Sequence, residues 1–243
     1  MYLSAMLVGL LGGLLGPLVG VGGGVFIVPI LNSLGVSFQT AAAVSLFSII
    51  ATSIVSVYNY RKIINFVDLW RFLLFSTISA ALSAFLSIKF SSSWIYLVYG
   101  VYLVSIGFIL LLEIKPTKRS VVLGYLLIFL GGFASSMFGI GGGTIYVPAL
   151  MLAAGLDPKT AVAFSMGIIL PTAISGTAIY FKFGVLDINL GVVVALGSSI
   201  GAYVSSKYIM PKLKSESIRK LFTTYVFVVG VFYLWKYFTL SHF

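Results

Sequence analysis

Long apolar runs separated by short polar breaks make up most of this chain. Runs of near-membrane length cover 39–60, 69–89, 94–113, 159–181, 188–207 and 218–238. A hydrocarbon core about 30 Å thick takes roughly 20 helical residues to cross, so each run reads as a transmembrane helix. Two further apolar stretches, 2–34 and 120–155, are interrupted from within. The interruptions read GVGGGVFIVP at 20–29 and GIGGGTIYVP at 139–148. Three successive glycines break a helix, because they lose backbone entropy on ordering and tolerate conformations that other residues avoid. In lipid such a break leaves N–H and C=O groups unsatisfied, so it survives only where protein or a water-filled cavity covers it. The pattern predicts an all-α membrane protein in which a glycine-broken, re-entrant or discontinuous helix precedes three transmembrane helices, twice over.

The two halves also agree residue by residue. Gly20, Gly22, Gly23, Gly24 and Pro29 match Gly139, Gly141, Gly142, Gly143 and Pro148 at a constant offset of 119. Further along, Thr40-Ala41 matches Thr160-Ala161, Ser45 matches Ser165, Tyr60 matches Tyr180 and Asp68 matches Asp187. The chain therefore divides into repeat one at 1–114, a polar linker at 115–119 and repeat two at 120–243, within one membrane domain spanning 1–243. Asp157 before Pro158 predicts a helix N-cap and first turn, and Ser37 takes the capping place in repeat one. Pro171 lies inside its helix and is expected to kink it; its partner in repeat one is Ala51.

Composition supports the membrane reading. Hydrophobic residues make up 60% and charged residues 8%, and the mean hydropathy is +1.15. No Lys or Arg precedes Arg61, so the first segment lacks the basic start of a cleaved signal peptide and is expected to be retained. The net charge of +10 would point to nucleic acid in a soluble protein. Here the basic residues sit in short connections, where they set orientation in the bilayer. If each broken element crosses completely, the 15 Lys and Arg divide almost evenly between the two sides. If each enters and leaves on one side, only Lys89, Lys182 and Lys236 lie outside. The second arrangement satisfies the positive-inside rule, gives three full crossings per half, inverts the repeats and puts both termini outside. A broken helix that spans completely is the alternative.

Two sets of atoms could hold a ligand. The first helical turn after each glycine cluster, from about Val25 and about Thr144, has free N–H groups and the positive end of a helix dipole, which together favour an anion. Glycine also admits a ligand close to the backbone; close helix packing is the alternative role for such residues. On the following helix, Ser45, Ser48, Thr52, Ser56 and Asn59 share one face, and Ser165, Thr172 and Gly176 repeat it in the second half. Their hydroxyls would complete an anion's hydrogen-bond shell without fixed charge. The expected substrate-binding residues are Gly22, Gly23, Gly24, Ser45, Ser48, Thr52, Gly141, Gly142, Gly143, Thr144, Ser165 and Thr172.

Other chemistry is poorly represented. Asp68, Glu113, Asp157, Asp187 and Glu216 all fall at segment ends or in connections, so no predicted crossing carries a central carboxylate of the kind ion pumps use. The sole histidine, His242, lies at the extreme C-terminus. No nucleophile–base pair, metal-ligand cluster or cysteine is present, and neither an enzyme nor a cofactor is expected. Trp70, Trp94 and Trp235 suit interfacial anchors.

With these motifs in place, the chain resembles the TauE/SafE sulfite exporter family. The resemblance is carried by GIGGGTIYVPAL followed by KTAVAFSM in repeat two, and by the first glycine cluster followed by TAAAVSLF in repeat one. It implies a multi-pass permease of the prokaryotic cytoplasmic membrane for small sulfur-containing or organic anions such as sulfite or sulfoacetate. The partners to look for are the anion, the bilayer, a proton as coupling ion and a second copy of the chain, without nucleic acid. A passive anion channel and a non-transporting membrane scaffold are the rival readings.

Overall fold

Helix boundaries fall where the chain supplies a cap or a glycine. In the computed structural model, which describes residues 2–64, 66–90, 92–111, 121–212 and 215–241, ten α-helices follow one another: α1 (Tyr2–Val19), α2 (Gly24–Ser33), α3 (Phe38–Tyr60), α4 (Phe66–Lys89), α5 (Ser92–Leu111), α6 (Val121–Phe138), α7 (Gly143–Ala149), α8 (Pro158–Lys182), α9 (Ile188–Val204) and α10 (Ser215–Ser241). A π-helical turn, Leu150–Ala154, prolongs α7, and another, Ser205–Ile209, prolongs α9. Among the described residues every regular element is helical. The Ser37 side chain accepts from Thr40 N at 3.2 Å to start α3. Asp157 accepts from the N–H groups of Lys159 and Thr160 to start α8, and Asp187 accepts from Leu190 N at 3.0 Å to start α9. The linker 115–119, the side chains of Asp68 and Glu216, Glu113 and His242 lie outside the described set. The helix expected to kink at Pro171 is assigned as one α-helix through that residue.

Among the described residues five helices are long and apolar enough to cross a membrane: Tyr2–Val19, Phe38–Tyr60, Phe72–Lys89, Pro158–Lys182 and Ile188–Ile209. Three apolar helices are shorter: Gly24–Ser33, Trp94–Ile109 and Val122–Phe138. Leu74, Ile78, Leu82, Leu196 and Ile200 are large apolar side chains left on the outside of the bundle, as expected where lipid replaces water.

The broken elements are hairpins. Gly16 lies against Gly22 and Gly23, and Gly12 against Gly23 and the Ile27 side chain. The index falls along α1 as it rises along α2, so α2 runs back along α1. The second half repeats this contact for contact: a Cβ on Gly23 would meet Gly12 O at 2.5 Å, and one on Gly142 would meet Gly131 O at 2.5 Å.

Helix pairing crosses the boundary between halves. α9 packs on α1 and α3 of the first half, while α4 packs on α6 and α8 of the second. Gly9 meets Val194 and Gly13 meets Ser198, so α1 and α9 run parallel. Likewise Phe75 stacks on Tyr125 and Ser87 bonds to Met137, so α4 and α6 run parallel. α5 and α10 pair in the opposite sense, with Gly100 against Leu234 and Gly107 against Phe227. α3 packs on α8 at the centre.

Candidate functional site

The two hairpin tips meet in the middle of the bundle. Gly23 and Gly142, at φ 100° and 71°, cap α2 and α7 in the left-handed region, where a side chain is strained. The glycine after each cap is packed against the opposite tip: a Cβ on Gly24 would run into Gly139 O, and one on Gly143 into Gly20 O. The loops therefore need glycine for two separate reasons, backbone sign and mutual approach.

Two serines tie the tips together across the halves. Ser45 Oγ, on α3, donates to Gly139 O at 2.6 Å. Ser165 Oγ, on α8, donates to Gly20 O at 2.8 Å and also lies 2.8 Å from Val162 O. Each repeat's serine thus holds the other repeat's loop. Deeper tyrosines act in the same paired way. Tyr60 OH donates to Pro17 O at 3.4 Å and Tyr180 OH to Ser136 O at 2.9 Å, so each binds a carbonyl near the end of a broken helix.

Every expected site residue is buried, but the structure sorts them into different roles. The glycines come together with Ser45 and Ser165. The hydroxyl of Ser48 donates to Ser45 O at 2.8 Å, Thr52 to Ser48 O at 3.1 Å and Thr172 to Ile168 O. Thr144 pairs with Tyr102 on α5. In this conformation the hydroxyl protons expected to serve a ligand go to backbone carbonyls or, at Thr144, to the Tyr102 pair, because a buried O–H takes the nearest acceptor. The backbone donors differ. Val21 N reaches Gly16 O and Ile140 N reaches Ser135 O, while Phe26 and Tyr146 reach the caps. The N–H groups of Gly22, Gly23, Gly24 and Val25, and of Gly141, Gly142, Gly143 and Thr144, have no protein acceptor among the described residues. Eight buried donors thus cluster about the two tips. Ile49 and Ile169 supply apolar surface beside Gly22.

Sequence reasoning missed a second set of buried hydroxyls. Ser76, Ser79, Ser83 and Ser87 on α4 are all fully buried and line one face at the same spacing as the α3 stripe. The first three bond one turn back on their own helix, and Ser87 reaches Met137 O at 3.3 Å. Nearby on the second hairpin and α8, Ser135, Ser136, Tyr146 and Thr177 have buried hydroxyls with no partner among the described residues. The matching spacing in the sequence was the available signal.

Comparison with known proteins adds the family. The model of the sulfite exporter TauE/SafE family matches residues 5–233. The chain belongs to the TauE/SafE sulfite exporter family. TauE/SafE relatives include the probable membrane transporter protein YunE of Bacillus subtilis, 26% identical over 94% of this chain and 96% of its own length. A probable membrane transporter protein of Methanocaldococcus jannaschii is 28% identical over 94% of both chains. The TauE/SafE family protein 3 of Arabidopsis thaliana is 35% identical over 33% of this chain and 19% of its own. No solved structure matches the chain. This TauE/SafE member is accordingly a multi-pass membrane protein of a transporter family.

Proposed function

We propose that the chain is a secondary transporter for small oxyanions, sulfite or a sulfonate such as sulfoacetate, built from two inverted repeats. The anion sits between the hairpin tips, held by the N–H groups of Gly22–Gly24 and Gly141–Gly143 with those of Val25 and Thr144. The observation carrying this reading is the cluster of eight buried N–H donors without protein acceptors among the described residues. A buried donor left unsatisfied costs about 1–3 kcal/mol, and two helix N-termini add positive potential at the same place. An anion answers both. The family's name supports the substrate class, and the probable transporter relatives support transport.

Ser45, Ser165, Ser48, Thr52 and Thr172 form the surrounding polar shell. Turning the Ser45 or Ser165 proton from its carbonyl to the anion adds a donor and releases the tie to the opposite repeat. Binding thereby loosens the contact between halves, which is what rocking to alternate access requires. The parallel α1–α9 and α4–α6 pairs and the opposed α5–α10 pair support inverted halves, because an axis in the membrane plane generates these directions. The proposed setting is the prokaryotic cytoplasmic membrane, with a proton as coupling ion and a homodimer as the assembly.

Sulfite flux into proteoliposomes, with and without an imposed pH gradient, tests this. Saturable, gradient-driven uptake, reduced by sulfoacetate and thiosulfate in competition, is the expected result. Uptake that neither saturates nor accumulates against a gradient would make the protein a channel. No anion flux from folded protein would discard the transport reading.

A further inference from the structure

Between α2, α5 and α10 a row of polar groups leads from Lys236 toward the hairpin tips. It starts at Lys236 on α10, which is half-buried. The ammonium donates to Asn32 Oδ1 at 2.7 Å and lies 4.7 Å from the centroid of the Tyr96 ring. Tyr233 OH donates to the same Oδ1 at 3.3 Å, and Asn32 Nδ2 donates to Val36 O at 2.9 Å, which orients the amide oxygen toward the cation. Asp157 and Asp187, the carboxylates whose side chains are described, cap α8 and α9 instead. Among the described residues Lys236 is therefore held by neutral groups, with no carboxylate beside it.

Beside this cluster lies Tyr99, fully buried, whose hydroxyl has no partner among the described residues. Burying a hydroxyl without a partner is costly, and of the unpartnered buried hydroxyls that of Tyr99 lies beside this row. One turn deeper on α5, Tyr102 pairs with Thr144 at the start of α7. From α10, Tyr225 OH reaches Val25 O at the start of α2 at 3.3 Å. The hydroxyls thus lie between Lys236 and both helix starts. Phe38 packs edge-on against Tyr96, Tyr99 and Tyr233, at 76°, 67° and 89°, and closes the track in this conformation. The residue matching Asn32 in repeat two is Met151, so the amide anchor has no counterpart there.

We infer that Lys236, Asn32, Tyr96 and Tyr233 form an outer anion subsite, and that the Tyr99–Tyr102 hydroxyl row is the access route from it to the hairpin tips. The inference rests on the anion reading above for its ligand class. A cation held by neutral groups in low-dielectric surroundings raises the local concentration of anions, and O–H donors beneath it can pass an oxyanion inward without trapping it.

The chain contains no cysteine, so Tyr99→Cys and Tyr233→Cys each introduce a single thiol. Their labelling by membrane-impermeant methanethiosulfonates, one anionic and one cationic, is measured in sealed vesicles from the Lys236 side. Both thiols should react, with the anionic reagent favoured by roughly tenfold relative to the same variants carrying Lys236→Met. Thiols that label only after denaturation, or a charge preference unchanged by Lys236→Met, would overturn the route. Lys236→Met alone should raise the KM for sulfite severalfold at unchanged kcat, and Lys236→Arg should restore it. An unchanged KM would overturn the subsite. Labelling needs no transport, so charge-selective labelling without sulfite flux would discard the substrate and keep the route.

Discussion

Gly24 and Gly143 have little freedom to change. Neither has a positive φ, so the constraint on them is the opposite loop's carbonyl rather than backbone strain. Gly24→Ala and Gly143→Ala should each abolish transport and lower thermal stability in detergent. Gly35→Ala and Gly184→Ala give the contrast: both glycines have a positive φ, but nothing lies within 4 Å of an added Cβ. Their cost should be the left-handed strain alone, about 1–2 kcal/mol, with transport retained. Ser45→Ala and Ser165→Ala each leave a buried carbonyl without its donor, for a loss of about 1–3 kcal/mol in unfolding experiments. These residues were legible in the sequence because the duplication wrote them twice. Their partners were not, because a serine on a helix face does not announce whether its proton faces a ligand, its own helix or a loop a hundred residues away.

At the scale of elements, the hairpins were legible from charge. If the broken elements return, twelve of the fifteen basic residues fall on one side, which favours that arrangement over full crossings, and α2 does run back along α1. Tyr60 and Tyr180 were visible as a matched pair, yet only the fold shows them holding the carbonyls of Pro17 and Ser136. Tyr60→Phe and Tyr180→Phe should each destabilise by about 1 kcal/mol and loosen the α1 and α6 ends in hydrogen exchange. The α4 serine row has the spacing of the α3 stripe, but α4 does not follow a glycine break, so nothing in the sequence tied its face to a site. The α8 cap makes a prediction about pH. The Thr160 hydroxyl, together with the N–H groups of Thr160 and Lys159, holds the Asp157 carboxyl below the usual carboxylate range. A depressed folded value means the cap's contribution is complete above the unfolded value, about pH 4, and fades as pH falls through the folded one. Asp157→Asn should lose that acid dependence, read as thermal midpoints in detergent between pH 6 and pH 3.

For the whole molecule, the sequence told that there are two halves but not how they interlock. Helices facing lipid and helices facing helices are both apolar, so the pattern does not mark partners as it does in water. The structure shows α4 seated on α6 and α8, and α9 seated on α1 and α3. Residues 1–114 and 120–243, expressed separately, should each be degraded or aggregate. Coexpressed, they should copurify and recover transport; stable, monodisperse single halves would contradict the interlocking. The same arrangement bears on how the protein is made. α4 leaves the ribosome before either of its second-half neighbours exists, and α1 must wait for α9. Early segments therefore spend part of synthesis with the glycine-lined face of α1 and the serine-lined face of α4 uncovered in the bilayer or held by the insertion machinery. Slow translation through the second half lengthens that exposure, so the yield of this protein should depend on the speed at which its last helices are made.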